Sequence, residues 1–279
     1  MRRPVAPRLH VLDHGTISLD RSLLISGYGI ASVADQQAPA DWVAVPSYSV
    51  LLEHPEGRVL FDTGCHPDAA TRWPEGLRNH EVWAARPDQH LLSRLQQLDL
   101  RPADIDVVIA SHLHMDHSGC LEYFTGAEVI VHRTELRSAL EHYATPGYTG
   151  GYVKADISAW LQAGVNWNAL DASTPEMTLY DGVTVLNLGP GHTEGMLGVL
   201  IALPDFGAVL LASDACYGSA NFGPPTVLPG APSIYDSVGM LHTIDRLRML
   251  VRRHKAQLWF GHDPEQFAAL RKSPDGYYT

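Results

Sequence analysis

Cysteine is scarce in this chain: only Cys65, Cys120 and Cys216 among 279 residues. An odd number at wide spacing builds neither a disulfide framework nor a CxxC zinc pattern, and it fits a reducing compartment. Basic residues are outnumbered, 20 Lys and Arg against 31 Asp and Glu, for a formal net charge of −11. That balance argues against a nucleic-acid partner and against an anionic membrane surface. No apolar run reaches the ~18 residues that a membrane span needs. Pro4, Pro7, Arg8 and His10 interrupt the start after Met1-Arg2-Arg3. With no apolar stretch there, no signal peptide is expected and the cytoplasm is the default location. Internal repeats of short period and low-complexity tails are also lacking. An ordinary hydrophobic content of 45% leaves room for a sizeable core.

Histidine, by contrast, is plentiful at fifteen residues. Four metal-binding side chains crowd into Ser111-His112-Leu113-His114-Met115-Asp116-His117, directly after the apolar run Val107-Val108-Ile109-Ala110. A short apolar run bounded by polar residues reads as a buried strand. The motif therefore leaves the carboxyl end of a core strand, where sites of layered α/β proteins form. Imidazole suits zinc and other late first-row metals, and the carboxylate adds a hard oxygen ligand. Cys65 and His66 have no further ligand at suitable spacing and read as loop residues. His132 and His142 read as a strand end and a helix surface.

The chain alternates strands and helices around this motif. Strands are expected over 9–12, continuing at 17–19, then over 47–52 and 58–61, the last two closed as a hairpin by Pro55-Glu56-Gly57. Residues 21–45 and 65–87 read as irregular. Leucines 91, 92, 95 and 98 give a helical stripe over 87–98. Strands at 104–110 and 127–131 flank a short helix at 117–123, and helices follow at 134–143 and 153–161. Asp181-Gly182 marks a hairpin between 179–180 and 183–188. Strands at 196–203 and 208–212, a Gly/Pro-rich loop at 218–233, a helix over 236–254, a strand at 257–260 and a closing helix from Pro264 complete the chain. Val238, Leu241, Ile244, Leu247 and Val251 are the expected apolar face of the long helix. Strands, helices, strands, helices in that order fit one α/β domain over 1–279, an αββα sandwich.

Later strands end in similar chemistry: Gly191-His192, Ser213-Asp214 and Gly261-His262. His112, His114 and His192 would supply three nitrogens to one ion, and Asp116, His117 and His262 would hold a second. Asp214 is suited to bridge them. Two ions about 3.5–4 Å apart share a water and lower its pKa. Glycine before His192 and His262 is expected to allow a sharp turn. Asp62, in Asp62-Thr63-Gly64, can orient a ligand or cap a turn, and the sequence leaves both open.

His112-x-His114-x-Asp116-His117, followed in order by Gly191-His192, Asp214 and Gly261-His262, resembles the metallo-β-lactamase superfamily, and Asp62-Thr63-Gly64 resembles its early motif. The resemblance covers most of the chain and implies an αββα fold and a two-metal hydrolase. An Asp at the bridging position, here Asp214, is similar to lactonases and glyoxalase II-type thioesterases rather than to zinc β-lactamases. Ser213-Asp214-Ala215-Cys216-Tyr217 further resembles the N-acyl homoserine lactonases, which carry a Tyr three residues after that Asp. Met115 departs from members that have Phe there, which leaves acyl-chain preference open.

The resemblance implies a carboxylic ester hydrolase that silences a quorum signal by opening the lactone ring. A hydroxide shared by two ions, zinc first with cobalt, manganese or iron also fitting, would attack the carbonyl. Tyr217 would stabilise the oxyanion and Asp116 relay the proton. Met115, Tyr217 and Phe222, with the loop at 21–45 and the aromatic residues of 146–160, are the candidates for contacting the acyl chain. The rival substrates are other small lactones, of the γ-butyrolactone or pyridoxolactone type, and glyoxalase II-type thioesters. Homodimers are common in the resembled branch, and composition does not bear on one here.

Overall fold

The chain is described from a computed structural model that covers residues 4–38, 40–147 and 150–279. The expectations attached to Met1-Arg2-Arg3, to Pro39 in the loop at 21–45, and to Tyr148 in the loop at 146–151 lie outside the described residues. A long first strand, β1 (Arg8–Asp20), pairs antiparallel with β2 (Trp42–Glu53), which pairs with β3 (Arg58–Phe61). Two short helices, α1 (Ala69–Arg72) and α2 (Glu75–Arg78), lead into β4 (Glu81–Ala84), which returns to the far half of β1. Then come α3 (Leu91–Gln97), β5 (Val107–Ile109), α4 (Met115–Ser118), β6 (Glu128–His132), α5 (Arg133–Ala144), α6 (Lys154–Ala163) and β7 (Asn166–Leu170). Strands β3, β5, β6 and β7 run parallel, giving a seven-stranded sheet in the order β4-β1-β2-β3-β5-β6-β7.

The second half builds a five-stranded sheet. It comprises β8 (Glu176–Tyr180), β9 (Val183–Gly189), β10 (Met196–Leu203), β11 (Gly207–Ser213) and β12 (Gln257–Phe260), in the order β12-β11-β10-β9-β8. Helices α7 (Ser219–Phe222) and α8 (Ser237–His254) lie between β11 and β12, and α9 (Pro264–Ala269) follows. No helix among the described residues is long and apolar enough to cross a membrane.

Side chains alternate across each strand, and the alternation separates the core layers. Val107 and Ile109 join Val199, Ile201, Leu211 and Trp259 between the sheets. Val108 points the other way, to Leu91 and Leu95 of α3, Ala139 of α5 and Trp160 of α6. On the outer face of the second sheet, Leu210 and Leu258 meet Leu247 and Leu250 of α8. The layers are helix, sheet, sheet, helix. Burial of such a core at roughly 25 cal/mol per Å² of apolar surface is the main favourable term in folding.

Several local expectations are corrected. Strands β4 and β7 lie within or beside stretches read as irregular or helical. Both are edge strands of polar or mixed composition, Glu-Val-Trp-Ala and Asn-Trp-Asn-Ala-Leu, and pairing with β1 and β6 sets them in the sheet rather than their own propensity. The expected helix at 87–98 starts at Leu91, after a 3-10 turn at Pro87–Gln89, because His90 is extended. The short helix after the motif begins at Met115, so it carries Asp116 and His117; it ends at Ser118, capped by Gly119, and a 3-10 turn follows at Leu121–Tyr123. In α8 the buried face is Met240, Thr243, Ile244, Leu247 and Leu250, whereas Val238 and Leu241 are exposed. The helix is rotated because Met240 packs beneath Gly191.

Candidate metal centre and substrate cavity

Four strand ends converge at one rim of the sandwich. After β5 the chain presents His112 and His114; α4 adds Asp116 and His117; β9 leads to His192; β11 to Asp214; and β12 to His262. Three ligand groups form with donor atoms within 4.8 Å: His112, His114 and His192; Asp116, His117 and His262; and His112, His117 and Asp214. All seven sequence candidates for metal ligation are therefore brought together. Cys65 and His66 join no such group among the described residues: Cys65 is buried in the core and His66 meets the Tyr123 hydroxyl. His132 instead caps α5, accepting from the Thr134 amide.

Asp214 stands between the two clusters. Its Oδ2 is 3.4 Å from His192 Nε2 and 3.8 Å from His112 Nε2. Its Oδ1 is 3.1 Å from His262 Nε2 and 3.3 Å from His117 Nε2. Asp116 Oδ2 is 3.3 Å from His117 Nε2 and 3.5 Å from His262 Nε2. Gly261 explains how β12 comes so close, since a Cβ there would lie 2.5 Å from Asp214 Oδ1. The chain bends at both glycines before His192 and His262, as expected, and each also permits close packing; at Gly191 the neighbour is Met240.

The hydrogen-bond partner behind the imidazole decides which nitrogen faces the cluster. His262 Nδ1 donates to the Pro46 carbonyl at 2.9 Å and His192 Nδ1 to the Ser233 carbonyl at 2.8 Å. His117 Nδ1 donates to Asp62 Oδ2 at 2.9 Å. Ser111 Oγ donates to Asp62 Oδ2 at 2.9 Å, so it accepts from His112 Nδ1 at 3.0 Å. Each of these rings keeps Nε2 for the cluster, the arrangement that outer partners impose on metal-binding histidines. Asp62 therefore orients His117 and Ser111, which resolves the alternative left open by its sequence. Asp62 and Ser213 both adopt positive φ, 63° and 48°, at the ends of β3 and β11. Strain of this kind costs roughly 1–3 kcal/mol per residue. Their mutual bonds hold it: Ser213 Oγ lies 2.9 Å from Ser111 Oγ and 3.3 Å from Asp62 Oδ2.

The electrostatics fit cations. His112 Nε2, His117 Nε2 and Asp214 Oδ1 are buried and form no hydrogen bond, which is costly unless another partner is supplied. Burial, then neighbouring imidazoles, hold His112 and His114 well below the ordinary histidine range. Burial opposes charge on His117 and His262 too, but Asp116 and Asp214 outweigh it, raising His117 well above that range and His262 to about 9. Burial also disfavours the Asp214 carboxylate, yet His262 and His117 together hold its pKa well below the usual range. Nitrogen-rich clusters that share carboxylates suit zinc and related divalent ions.

The metal-free chain consequently holds protons on His117 and His262 near neutrality. Loading it with zinc at pH 7.5 in dilute buffer should release about two protons, read with a pH indicator; no release would mean neutral imidazoles. The sign for stability follows. A histidine whose pKa rises from 6.5 unfolded to about 9 folded stabilises fully below pH 6.5, and that contribution is lost as pH climbs through 9. The metal-free melting temperature should fall over that window and the metal-loaded one should not.

A cavity of about 670 Å³ opens onto these clusters, with His114, Asp116, His192, Asp214 and His262 lining it. Ile17, Leu19, Leu23, Leu24, Trp42 and Met115 give it an apolar wall, and no Lys or Arg lines it among the described residues. Tyr217 also lines it, with its hydroxyl 2.8 Å from His192 Nδ1. Burial, then Asp214, raises the Tyr217 phenol well above its ordinary range, so it stays protonated. Phe222 does not line the cavity. Its ring packs on Phe260 at 5.9 Å and under the Arg248 guanidinium, because α7 folds back over the second sheet. Of the aromatic residues between 146 and 160, Trp160 is core and Tyr152 lines a neighbouring cavity. Glu81, at the start of β4, lines the main cavity and was not anticipated. Burial, then Asp116, pushes its carboxyl up to about 8. Only the unforeseen pairing of β4 with β1 brings it there.

Fold and site together define an αββα protein with two adjoining ligand clusters at the sheet ends. Residues 42–208 match the metallo-beta-lactamase superfamily model, and the chain belongs to that family. It is 36% identical over 274 residues to N-acyl homoserine lactonase AiiB of Agrobacterium fabrum, covering 97% of this chain and 99% of that one. It is 30% identical to an N-acyl homoserine lactonase of Bacillus thuringiensis, covering 96% and 98%. It is also similar to the solved structure of an N-acyl homoserine lactone hydrolase with the product N-hexanoyl-L-homoserine at its catalytic metal centre. There the TM-score is 0.80 and the identity 27%, over 98% of this chain and 100% of that one.

Proposed function

We propose that this chain is a metal-dependent lactonase that opens the ring of N-acyl homoserine lactones. The observation that carries the reading is Asp214, whose two oxygens face different ligand clusters at the mouth of a cavity with an apolar wall. His112, His114 and His192 would hold one divalent ion, Asp116, His117 and His262 the other, with Asp214 shared. When bound, such a pair supplies a water of lowered pKa as nucleophile and polarises the carbonyl.

The side chains perform the rest. The protonated Tyr217 hydroxyl donates to the carbonyl oxygen as negative charge develops there. Asp116, which also lines the cavity, accepts a proton from the nucleophile and passes it to the alkoxide released when the ring C–O bond breaks. The apolar wall from Ile17 to Leu24, with Trp42 and Met115, takes the acyl chain. That wall favours an acylated lactone over γ-butyrolactone or a pyridoxolactone, which would leave it unfilled. A cavity lined by no Lys or Arg among the described residues disfavours an anionic glutathione thioester.

Rates for acyl homoserine lactones of several chain lengths, compared with γ-butyrolactone, lactoylglutathione and a β-lactam, test the substrate. Preference for any of the last three would overturn it. Metal analysis of protein purified without chelator tests two zinc ions. Tyr217→Phe should lower kcat roughly 30-fold with metal content intact, somewhat less than loss of a lone oxyanion donor; an unchanged kcat would reduce Tyr217 to packing.

A further inference from the structure

Glu135 lies in the first turn of α5, is fully buried and belongs to neither ligand cluster. Its Oε1 accepts the Leu113 amide at 2.9 Å, and Leu113 stands between His112 and His114. The same oxygen accepts the Tyr152 hydroxyl at 3.0 Å, and the Tyr152 ring packs edge-on against His114 with centroids 4.7 Å apart. The other Glu135 oxygen, Oε2, is buried and has no hydrogen-bond partner among the described residues. One carboxyl thus holds the backbone between His112 and His114 and the ring that packs against His114. The other cluster is oriented from elsewhere, by Asp62 behind His117 and the Pro46 carbonyl behind His262.

Burying a carboxyl is costly, and here burial pushes it up to about 7 against bonds that favour its charge. An apolar residue of similar size would fill the space without that cost. The polar contacts, not the volume, account for a carboxyl at this position.

We infer that Glu135 is a positioning residue that selectively sets the geometry of the three-histidine cluster by holding the Leu113 backbone between His112 and His114 and the Tyr152 ring that packs against His114. The inference rests on the proposed two-ion reading and adds an asymmetry to it: one ion depends on Glu135 and the other does not. Outer partners of this kind typically contribute 10–100-fold to metal affinity.

The test titrates metal-free protein with Co(II), following the visible spectrum and competition with a chromophoric chelator, for the wild type, Glu135→Gln, Glu135→Ala and Tyr152→Phe. Near-UV circular dichroism of each metal-free variant reports folding. Glu135→Gln and Glu135→Ala should weaken one ion by about 10–100-fold and alter its d–d bands while the second ion binds as in the wild type. Tyr152→Phe, which removes one bond, should weaken the same ion by a few-fold. If Glu135→Ala fails to fold, the isosteric Glu135→Gln and the Tyr152→Phe variant decide. Equal weakening of both ions, or of neither, overturns the inference. Should the wild type bind a single ion, the two-ion reading fails by itself. Glu135 is then judged on that ion: weakened by Glu135→Gln, the inference stands; unmoved, it falls.

Discussion

Asp214→Ala is expected to lower kcat/KM for acyl homoserine lactones by at least roughly 1,000-fold and to leave the purified protein short of metal. Among the described residues, Asp214 is the one side chain whose two oxygens reach both clusters, at 3.1–3.4 Å from their nearest imidazole nitrogens. Alanine would remove a negative charge from a buried site of five imidazoles and leave Asp116 as the remaining carboxylate among the seven candidate ligands. Two divalent ions would then share one carboxylate and neutral imidazoles, which leaves their mutual repulsion far less offset, and His117 and His262 would lose part of what holds their protons in the metal-free chain. Asp214→Asn separates charge from shape: it keeps the volume and one acceptor and should still lose most activity. His192→Ala should lose metal as well, from the three-histidine cluster. Metal content by atomic spectroscopy and initial rates in the same preparations give the check. Full activity with two ions bound would remove the bridging role.

The second large effect concerns a residue that touches no reacting atom. Asp62→Ala removes the acceptor for the Ser111 amide at 2.7 Å, the Ser111 hydroxyl at 2.9 Å and His117 Nδ1 at 2.9 Å. Buried donors left unpaired cost about 1–3 kcal/mol each. The metal-free chain should therefore lose roughly 3 kcal/mol in urea unfolding, allowing for partial relaxation. Freed from Asp62, the His117 ring can rotate, and affinity for the ion it would hold should drop about 10–100-fold. Asp62→Asn tolerates the positive φ of 63° and keeps an acceptor, so it should be milder in both measurements. If Asp62→Ala matched the wild type in stability and metal affinity, the orienting role would be wrong.

Much of this site is legible in the chain itself because it depends on local order. Apolar runs ending in histidine or aspartate recur at His112, His192, Asp214 and His262, and a strand that ends in a ligand delivers it to the rim of a sheet. The cores follow from alternation, as with Val107 and Val108 on opposite faces of β5. Tyr217 and Met115 lie in the cavity wall where the sequence suggested substrate contact. Phe222 had the same kind of signal, an aromatic in a loop near Asp214, and packs elsewhere. Nothing local distinguishes the two, because the direction of a loop side chain is set by what the loop folds against.

What the sequence by itself determined is the identity and order of the candidate ligands and the layered architecture that gathers them. Both are written in short-range periodicity and in the chemistry of single residues. The tertiary structure decided the rest: which nitrogen each imidazole turns inward, that Asp62 orients rather than merely caps, that Glu81 lines the cavity, and that Glu135 accepts the Leu113 amide between two candidate ligands. These depend on partners far apart in the chain, such as His262 on the Pro46 carbonyl and Ser111 on Asp62. Spacing along a sequence carries no record of such pairs, since they exist only once the sheets have closed on one another and excluded water from the groups between them.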